Sequence, residues 1–203
     1  MTLDQLRPYI SPFLDPFVAG FDRVGLTPNG VSVLAFGTAI LAGAAFLLGG
    51  RADPIWYVAG AVLVFLNGWL DIIDGALARE QDVASSSGDL LDHVLDRYAD
   101  IVVIGGLAAG ILDYFLGFLA VTGVVMTSYL GTQAQAVGLE RVYGGAVGRA
   151  DRLAIIGFVG FLAYPFTGTY GGWGLVGWLL VFLAAVGHLT ALQRFAYSWS
   201  ALD

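Results

Sequence analysis

Residues 71–96 read DIIDGALAREQDVASSSGDLLDHVLD. Four of their carboxylates, Asp71, Asp74, Asp92 and Asp96, fall in or beside apolar runs long enough to cross a bilayer. Asp71, Asp74 and Gly75 share one helical face by their i, i+3, i+4 spacing, and Ala78 continues it. Asp92 and Asp96 share a face by i, i+4. Two such faces turned together predict a cluster of four carboxylates. Like charges this close do not all stay ionised unaided, and each costs ~2.5–3.5 kcal/mol at the centre of a span. A pair of divalent cations removes the conflict. Carboxylate and water ligands suit Mg2+ or Mn2+, while the absence of Cys and the presence of only two His argue against zinc. The plainer alternative is a set of helix-end acids solvated at the interface. Ionisable residues inside spans are functional by default, which favours the metal site.

The elements that must position these acids are membrane helices. Of 203 residues, 58% are hydrophobic and only 12% charged, and the mean hydropathy is +0.78. Such a composition points to a bilayer. Without cysteine there is neither a disulfide framework nor thiol chemistry. A net charge of −7 argues against nucleic acid as a partner. The predicted fold is an all-α integral membrane protein. Six transmembrane helices, roughly 30–49, 54–78, 89–112, 114–138, 152–168 and 173–196, follow an N-terminal interfacial helix at 2–20. The fifth span is the shortest. The interfacial helix is expected to be interrupted by its prolines and to set Phe13, Leu14 and Phe17 against lipid. The N-terminal stretch does not read as a cleavable signal peptide. Residues 1–203 form a single membrane-embedded catalytic domain.

The arginines orient the bundle. If the spans alternate, Arg7, Arg23, Arg79, Arg97, Arg141, Arg149, Arg152 and Arg194 share one side, and only Arg51 takes the other. The positive-inside rule then puts both termini and the loop 79–88 in the cytoplasm of a multi-pass cell-membrane protein. Asp71 to Arg79, and Gly88 to Asp96, each cover about 12 Å of helix, so both acid pairs are expected at similar depth on neighbouring antiparallel helices.

The string from Asp71 to Asp96 resembles the signature of the CDP-alcohol phosphotransferases, D-x2-D-G-x2-A-R-x8-G-x3-D-x3-D. Asp71, Asp74, Gly75, Ala78, Arg79, Gly88, Asp92 and Asp96 match every fixed position. Upstream, LTPNGVS (26–32) is similar to the family's approach to its first span. The resemblance covers nearly the whole chain and implies a reaction: an alcohol attacks the β-phosphorus of a CDP-linked lipid, giving a phosphodiester lipid and CMP. It implies Asp71, Asp74 and Asp92 as ligands of two Mg2+ or Mn2+ ions. Asp96 is implied as general base, with possible contact to metal. Asn29, Asp71, Gly75, Ala78, Arg79 and Gly88 become the residues that hold the CDP-lipid. It also implies a homodimer. The small residues of GGLAAG (105–110) permit close helix packing, between subunits or within one bundle. Asp100 is expected to orient Arg97 or Arg79, Asp89 to be solvated at a helix start, and His93 to be structural.

The acceptor is less legible. The stretch SYLGTQAQAVGLERVYGGAVGRADRLAI (128–155) resembles the branch of that family using phosphorylated polyols, the inositol-phosphate synthases above all. GRADR supplies Arg149 and Arg152, and LTALQRF supplies Arg194; together they suit a phosphate on the acceptor, or simply anchor cytoplasmic loops. Gly131 and Gln133 stand where that branch usually carries basic residues. Inositol 1-phosphate and glycerol phosphate therefore stay level, with an unphosphorylated acceptor such as serine behind them. The lipid tail, diacylglycerol or archaeol, leans weakly to archaeol on the acidic, lysine-free composition. Two rivals share parts of the pattern. An intramembrane prenyltransferase separates its acidic motifs more widely, and a cation transporter places its acids near the midplane, often among broken helices or repeats.

Overall fold

Helix caps punctuate the chain. The computed structural model describes residues 7–83, 85–142, 144–145 and 147–202, with side chains from Phe13 onward, and all its regular elements are helices. They are α1 (Arg7–Arg23), α2 (Pro28–Arg51), α3 (Ile55–Glu80), α4 (Ser86–Ile111), α5 (Tyr114–Ala136), α6 (Arg149–Ala163) and α7 (Leu175–Leu202). Thr27 caps α2 by accepting from the Gly30 N–H at 3.2 Å, with Pro28 just inside the helix, where its missing N–H costs nothing. Ser85 caps α4 in the same way through Gly88 N–H. Asp113 caps α5 and also accepts from Trp173 Nε1 at 3.2 Å, tying the α6–α7 connection to the same end of the bundle.

Four helices, α2, α3, α5 and α7, are long and apolar enough to cross a membrane. Large apolar side chains on their outer faces, Val33, Leu41, Val62, Phe118 and Leu189 among them, are exposed, as lipid-facing surfaces require. The other two predicted spans do not qualify on length and composition. The stretch of α4 from Asp89 to Asp100 carries Asp89, Asp92, Asp96, Arg97 and Asp100. With 15 residues, α6 is only about 22 Å long. It stops at Ala163: Tyr164 keeps helical backbone angles, φ −65° and ψ −55°, but Pro165 has no N–H to continue the ladder.

Of the predicted interfacial helix, residues 2–6 lie outside the described residues. The rest is one helix running unbroken through Pro12 and Pro16, and it continues to Arg23. Phe13 and Phe17 are exposed, but Leu14 faces inward. With Val18, one turn on, it packs on Leu70, Ile73 and Leu77 of α3 and Val31 and Ala35 of α2. Gln81 locks this corner by donating to Asp22 Oδ1 at 2.8 Å and to the Leu26 carbonyl at 3.2 Å.

The packing order departs from the expectation. α3 and α4 are not a packed pair; α2 lies against both, α3 also packs on α6, and α5 pairs with α7. The α2–α4 contact is a backbone contact. A Cβ on Gly43 would sit 2.6 Å from the Val102 carbonyl oxygen, and one on Gly106 would meet the Gly43 backbone. Gly106 and Gly110 of GGLAAG thus serve packing within the chain, while Gly105 has open space beside it. The acidic faces of α3 and α4 border a cleft.

Candidate active site

Asp71 and Asp74 project from α3, and Asp92 from α4. Each places one carboxylate oxygen within 4.8 Å of the other two. Asp74 is buried, and its Oδ2 accepts from the Ser32 hydroxyl at 2.7 Å. Ser32 is held by the register of α2, where the same hydroxyl also reaches the Pro28 carbonyl at 3.2 Å. The donor set is all carboxylate oxygen, the chemistry that holds Mg2+ or Mn2+, and the spacing fits a divalent ion.

Asp96 lies one turn beyond Asp92 and outside that group of three. Its Oδ1 is 2.7 Å from Arg149 Nη2, and its Oδ2 is 3.5 Å from Arg97 Nη2. Arg149 donates through Nη1 to Asp71 Oδ1, also at 2.7 Å, so one guanidinium spans acids of α3 and α4. A cleft opens here, lined by the polar residues Ser32, Asn67, Asp71, Asp92, Asp96 and Arg149 and the apolar residues Ala35, Phe36, Leu95 and Ala99. Asn67 donates to the Ala35 carbonyl at 2.8 Å, and its Oδ1 is buried without a partner.

Charge alternates onward from the cleft. Arg97 of α4 reaches Ser128 of α5 and lies 3.9 Å from Asp100 Oδ2. The same oxygen accepts from Arg152 Nη2 at 2.6 Å. Both partners are almost wholly buried. Asp100 thus orients Arg97, one of the two partners expected for it, and takes Arg152 as a second. Arg79 lies on the exposed last turn of α3. Asp89 is exposed in the first turn of α4. His93 sits between acids and a base: its Nδ1 lies 3.7 Å from Asp92 Oδ2 and from Asp89 Oδ1, and its Nε2 lies 2.5 Å from Arg141 Nη1.

Of the residues expected to hold a nucleotide, Asp71 lines the cleft. Gly75 and Ala78 are half-buried on the Asp71 and Asp74 face of α3. A Cβ on Gly88 would lie 3.2 Å from Asn29 Oδ1, which places the starts of α2 and α4 side by side. The three arginines expected to converge on an acceptor phosphate do not meet at one point. Arg149 is engaged with acids, and Arg152 is shut in with Asp100. Arg194 donates from Nε to the Gly144 carbonyl at 2.8 Å and from Nη1 to the Thr127 carbonyl at 2.7 Å. Its guanidinium occupies the space beside Gly131, where a Cβ would lie 2.6 Å from Nη1. A side chain at 131 would have to displace that guanidinium.

The model of the CDP-alcohol phosphatidyltransferase family matches residues 25–190. The chain belongs to that family. This transferase is 34% identical to the archaetidylinositol phosphate synthase of Methanothermobacter thermautotrophicus, over 98% of this chain and 95% of that protein. It is 33% identical to the phosphatidylinositol phosphate synthase of Mycobacterium marinum, over 92% and 80%. The crystal structure of the Mycobacterium tuberculosis phosphatidylinositol phosphate synthase with CDP-DAG bound superposes with a TM-score of 0.78 at 29% identity, covering 92% of this chain and 93% of that one. A second structure of that synthase, with manganese and citrate, gives the same TM-score at 28% identity, covering 92% of this chain and 88% of that one. The transferase is thus similar to phosphatidylinositol phosphate synthases along nearly its whole length.

Sequence reasoning missed Ser32 and the ion pairs of Arg149 and Arg152. Ser32 lies in the LTPNGVS stretch one turn after Pro28, but its partner Asp74 is 42 residues on, beyond the reach of any local pattern.

Proposed function

We propose that this transferase moves the phospholipid group of a CDP-linked lipid, CDP-archaeol, to a hydroxyl of inositol 1-phosphate and releases CMP. The observation that carries the reading is the carboxylate trio Asp71, Asp74 and Asp92 beside a cleft that also contains Asp96. Similarity to archaetidylinositol and phosphatidylinositol phosphate synthases supports the lipid and the acceptor. In this reading Asp71, Asp74 and Asp92 hold two divalent ions, Mg2+ or Mn2+, with Asn29, Gly75, Ala78, Arg79 and Gly88 along the nucleotide. Bound there, the ions supply charge neutralisation for the pyrophosphate and the departing CMP. Ser32 fixes the Asp74 carboxylate. Asp96 takes the proton of the acceptor hydroxyl as its oxygen bonds to the β-phosphorus. The bond from that phosphorus to the oxygen bridging it to the CMP phosphate breaks, and CMP leaves with the electron pair.

Arg194 is the first candidate for the acceptor's phosphate, with Arg141 in electrostatic reach of it. The charge absent from position 131 is supplied in the same space by the Arg194 guanidinium, which supports a phosphorylated acceptor despite Gly131. In the bilayer, α4 and α6 complete six spans among the four apolar ones, α1 lies in the interface, and both termini with the cleft face the cytoplasm. The functional unit is a homodimer. The test is CMP release by purified protein. CDP-archaeol and CDP-diacylglycerol are each offered with inositol 1-phosphate, glycerol phosphates, serine and free inositol, with Mg2+ or Mn2+ and again with chelator. Inositol 1-phosphate with CDP-archaeol is expected to be fastest, and chelator to stop release. Preference for serine or free inositol rejects the phosphate pocket, and preference for a glycerol phosphate reassigns the acceptor within it.

A further inference from the structure

The end of the bundle opposite the acid cleft is aromatic and almost without charge. α6 runs to it from the cleft, starting at Arg149 and ending at Ala163. α5 and α7, two of the helices long and apolar enough to cross a membrane, both begin there. The chain that precedes each therefore lies at a membrane boundary. Ahead of α7, residues 164–174 read YPFTGTYGGWG, without one charged side chain; ahead of α5, residues 112–115 read LDYF, with Asp113 as the one charge. Both oxygens of Asp113 are engaged. Oδ1 accepts from the Leu116 N–H at 3.0 Å and Oδ2 from Trp173 Nε1 at 3.2 Å. The second bond ties the two connections together.

The turn before α7 pairs its own backbone. The Tyr170 N–H donates to the Trp173 carbonyl at 2.8 Å, and the Trp173 N–H donates to the Tyr170 carbonyl at 3.2 Å. Gly171 and Gly172 between them take φ of +59° and +88°, the left-handed pair that so tight a turn requires. The Tyr170 carbonyl also accepts from Trp178 Nε1 at 3.0 Å. Trp178 meets Trp173 edge-on with ring centroids 5.4 Å apart, and Tyr170 at 6.4 Å. Non-helical backbone is tolerated near hydrocarbon only when its polar groups are paired in this manner. On this frame large side chains stand uncovered. Tyr170 is 82% exposed, and Phe166, Tyr114 and Phe115 are exposed with it. Leu112 holds a left-handed φ of +60°, where glycine is the usual choice, and is exposed too.

A connection that stood in water would carry polar company, as the neighbouring corner does: Arg51, Ala52 and Asp53, between α2 and α3 at the same end, are all exposed. Amphipathic rings on a rigid, neutral frame fit the boundary between headgroups and acyl chains, where Tyr and Trp place a polar tip in one layer and an apolar body in the other. We propose that residues 164–174, with Tyr114 and Phe115, form a membrane-interface anchor, which seats this end of the bundle at the headgroup–acyl boundary of the leaflet away from the acid cleft. The occupant of the patch is lipid. The patch brings no uncommitted charge with which to select a protein partner, and the lipid boundary asks for none. Because the bond between Asp113 and Trp173 joins the starts of α5 and α7, the anchor holds both helices at one depth.

The chain has no cysteine, so single thiols are introduced into the full protein and labelled with a nitroxide. Each labelled protein is reconstituted into vesicles of phosphatidylcholine and phosphatidylglycerol. Electron paramagnetic resonance power saturation then reads its access to O2, which partitions into lipid, and to a water-soluble nickel chelate present on both sides. Tyr170→Cys and Phe166→Cys report on the anchor. Ala52→Cys is the aqueous reference at the same end, and Phe118→Cys, on the exposed face of α5, is the hydrocarbon reference. Nickel access at 170 and 166 is expected at least about fivefold below that at 52, with O2 access between the values at 52 and 118. Nickel access within about twofold of that at 52 makes the connection an aqueous loop and overturns the proposal. Low access to both reagents with an immobilised spectrum means that protein covers the patch, and overturns it as well. Anchoring, as distinct from location, is read from the label at 118 in the background of Phe166→Ser with Tyr170→Ser. Loss of the rings lets this end rise toward water, so nickel access at 118 is expected to increase about twofold; unchanged access rejects the anchor. If Tyr170→Cys is not monodisperse, Phe166→Cys, which lies outside the paired turn, decides by the same criteria.

Discussion

Replacing Asp100 by Asn leaves two guanidinium groups without their shared anion. Arg152 is 2.6 Å from the Asp100 carboxylate, and the two side chains are only 5% and 2% exposed; Arg97 Nε approaches the same oxygen to 3.9 Å. Removing one partner of a buried pair costs ~3–5 kcal/mol, chiefly because the survivor stays charged and out of water. With a second arginine sharing the oxygen, the upper half of that range applies. For a chain of this size ~2–4 °C of melting temperature goes with each kcal/mol, so Asp100→Asn is expected to melt roughly 10–20 °C below wild type. The assay is far-UV circular dichroism on heating, in one detergent throughout. The paired substitution Asp100→Leu with Arg152→Met removes both charges at similar volume and is expected to recover most of the loss. Melting of Asp100→Asn within about 3 °C of wild type, under 1–2 kcal/mol, refutes the strut. An accompanying fall in acceptor KM would make Arg152 a phosphate ligand that Asp100 restrains.

Four further outcomes are expected. Ser32→Ala removes the 2.7 Å hydrogen bond to Asp74 and is expected to weaken Mn2+ binding about 10-fold to 100-fold by paramagnetic resonance; unchanged affinity means the serine is incidental. Asp96→Asn lowers kcat severely while CDP-lipid still binds in equilibrium dialysis, and loss of both nucleotide and metal binding makes Asp96 a ligand instead. Arg194→Gln raises the acceptor KM by about one to two orders of magnitude and moves the CDP-lipid KM little; equal losses for both substrates indicate a folding defect. Gly106→Leu drives a side chain into the Gly43 backbone and lowers the melting temperature sharply, whereas Gly105→Leu, which meets open space, is tolerated; similar effects from the two reject the α2–α4 contact.

Asp71 and Asp74 were legible as one face of α3 because their spacing is local, whereas Asp92 joins them from α4. Positions three and four apart share a helix face whatever the rest of the chain does, and the caps at Thr27 and Ser85 follow from equally local chemistry. Arg149 and Arg152 were visible as arginines but not as partners of Asp71 and Asp100, which lie 78 and 52 residues away. Those pairings depend on where α6 begins and on its packing against α3, and no short-range pattern encodes either. Helix neighbours were illegible for a related reason. In a bilayer the side facing lipid and the side facing protein are both apolar, so periodicity does not say that α2 separates α3 from α4. The extent of α6 was misjudged at Pro165, where hydropathy continues but the proline has no N–H to extend the ladder.

The alternation of charge along Asp71, Arg149, Asp96, Arg97, Asp100 and Arg152 also constrains how the protein is made. Asp100 leaves the ribosome 52 residues before Arg152. At ~5–20 residues per second the interval is roughly 3–10 s. In the six-span arrangement proposed above, α4 carries through that interval acids whose partners on α6, Arg149 and Arg152, have not been synthesised, in a medium that tolerates unpaired charge poorly. α4 therefore has reason to wait, at the translocation channel or in the headgroup layer, until α6 arrives, and to enter the bilayer with it as a neutralised pair. The ion pairs that order the catalytic cleft would then be the same contacts that complete insertion, so a substitution such as Asp100→Asn or Arg152→Met alone would register first as lower yield in the membrane, before any enzyme assay is run.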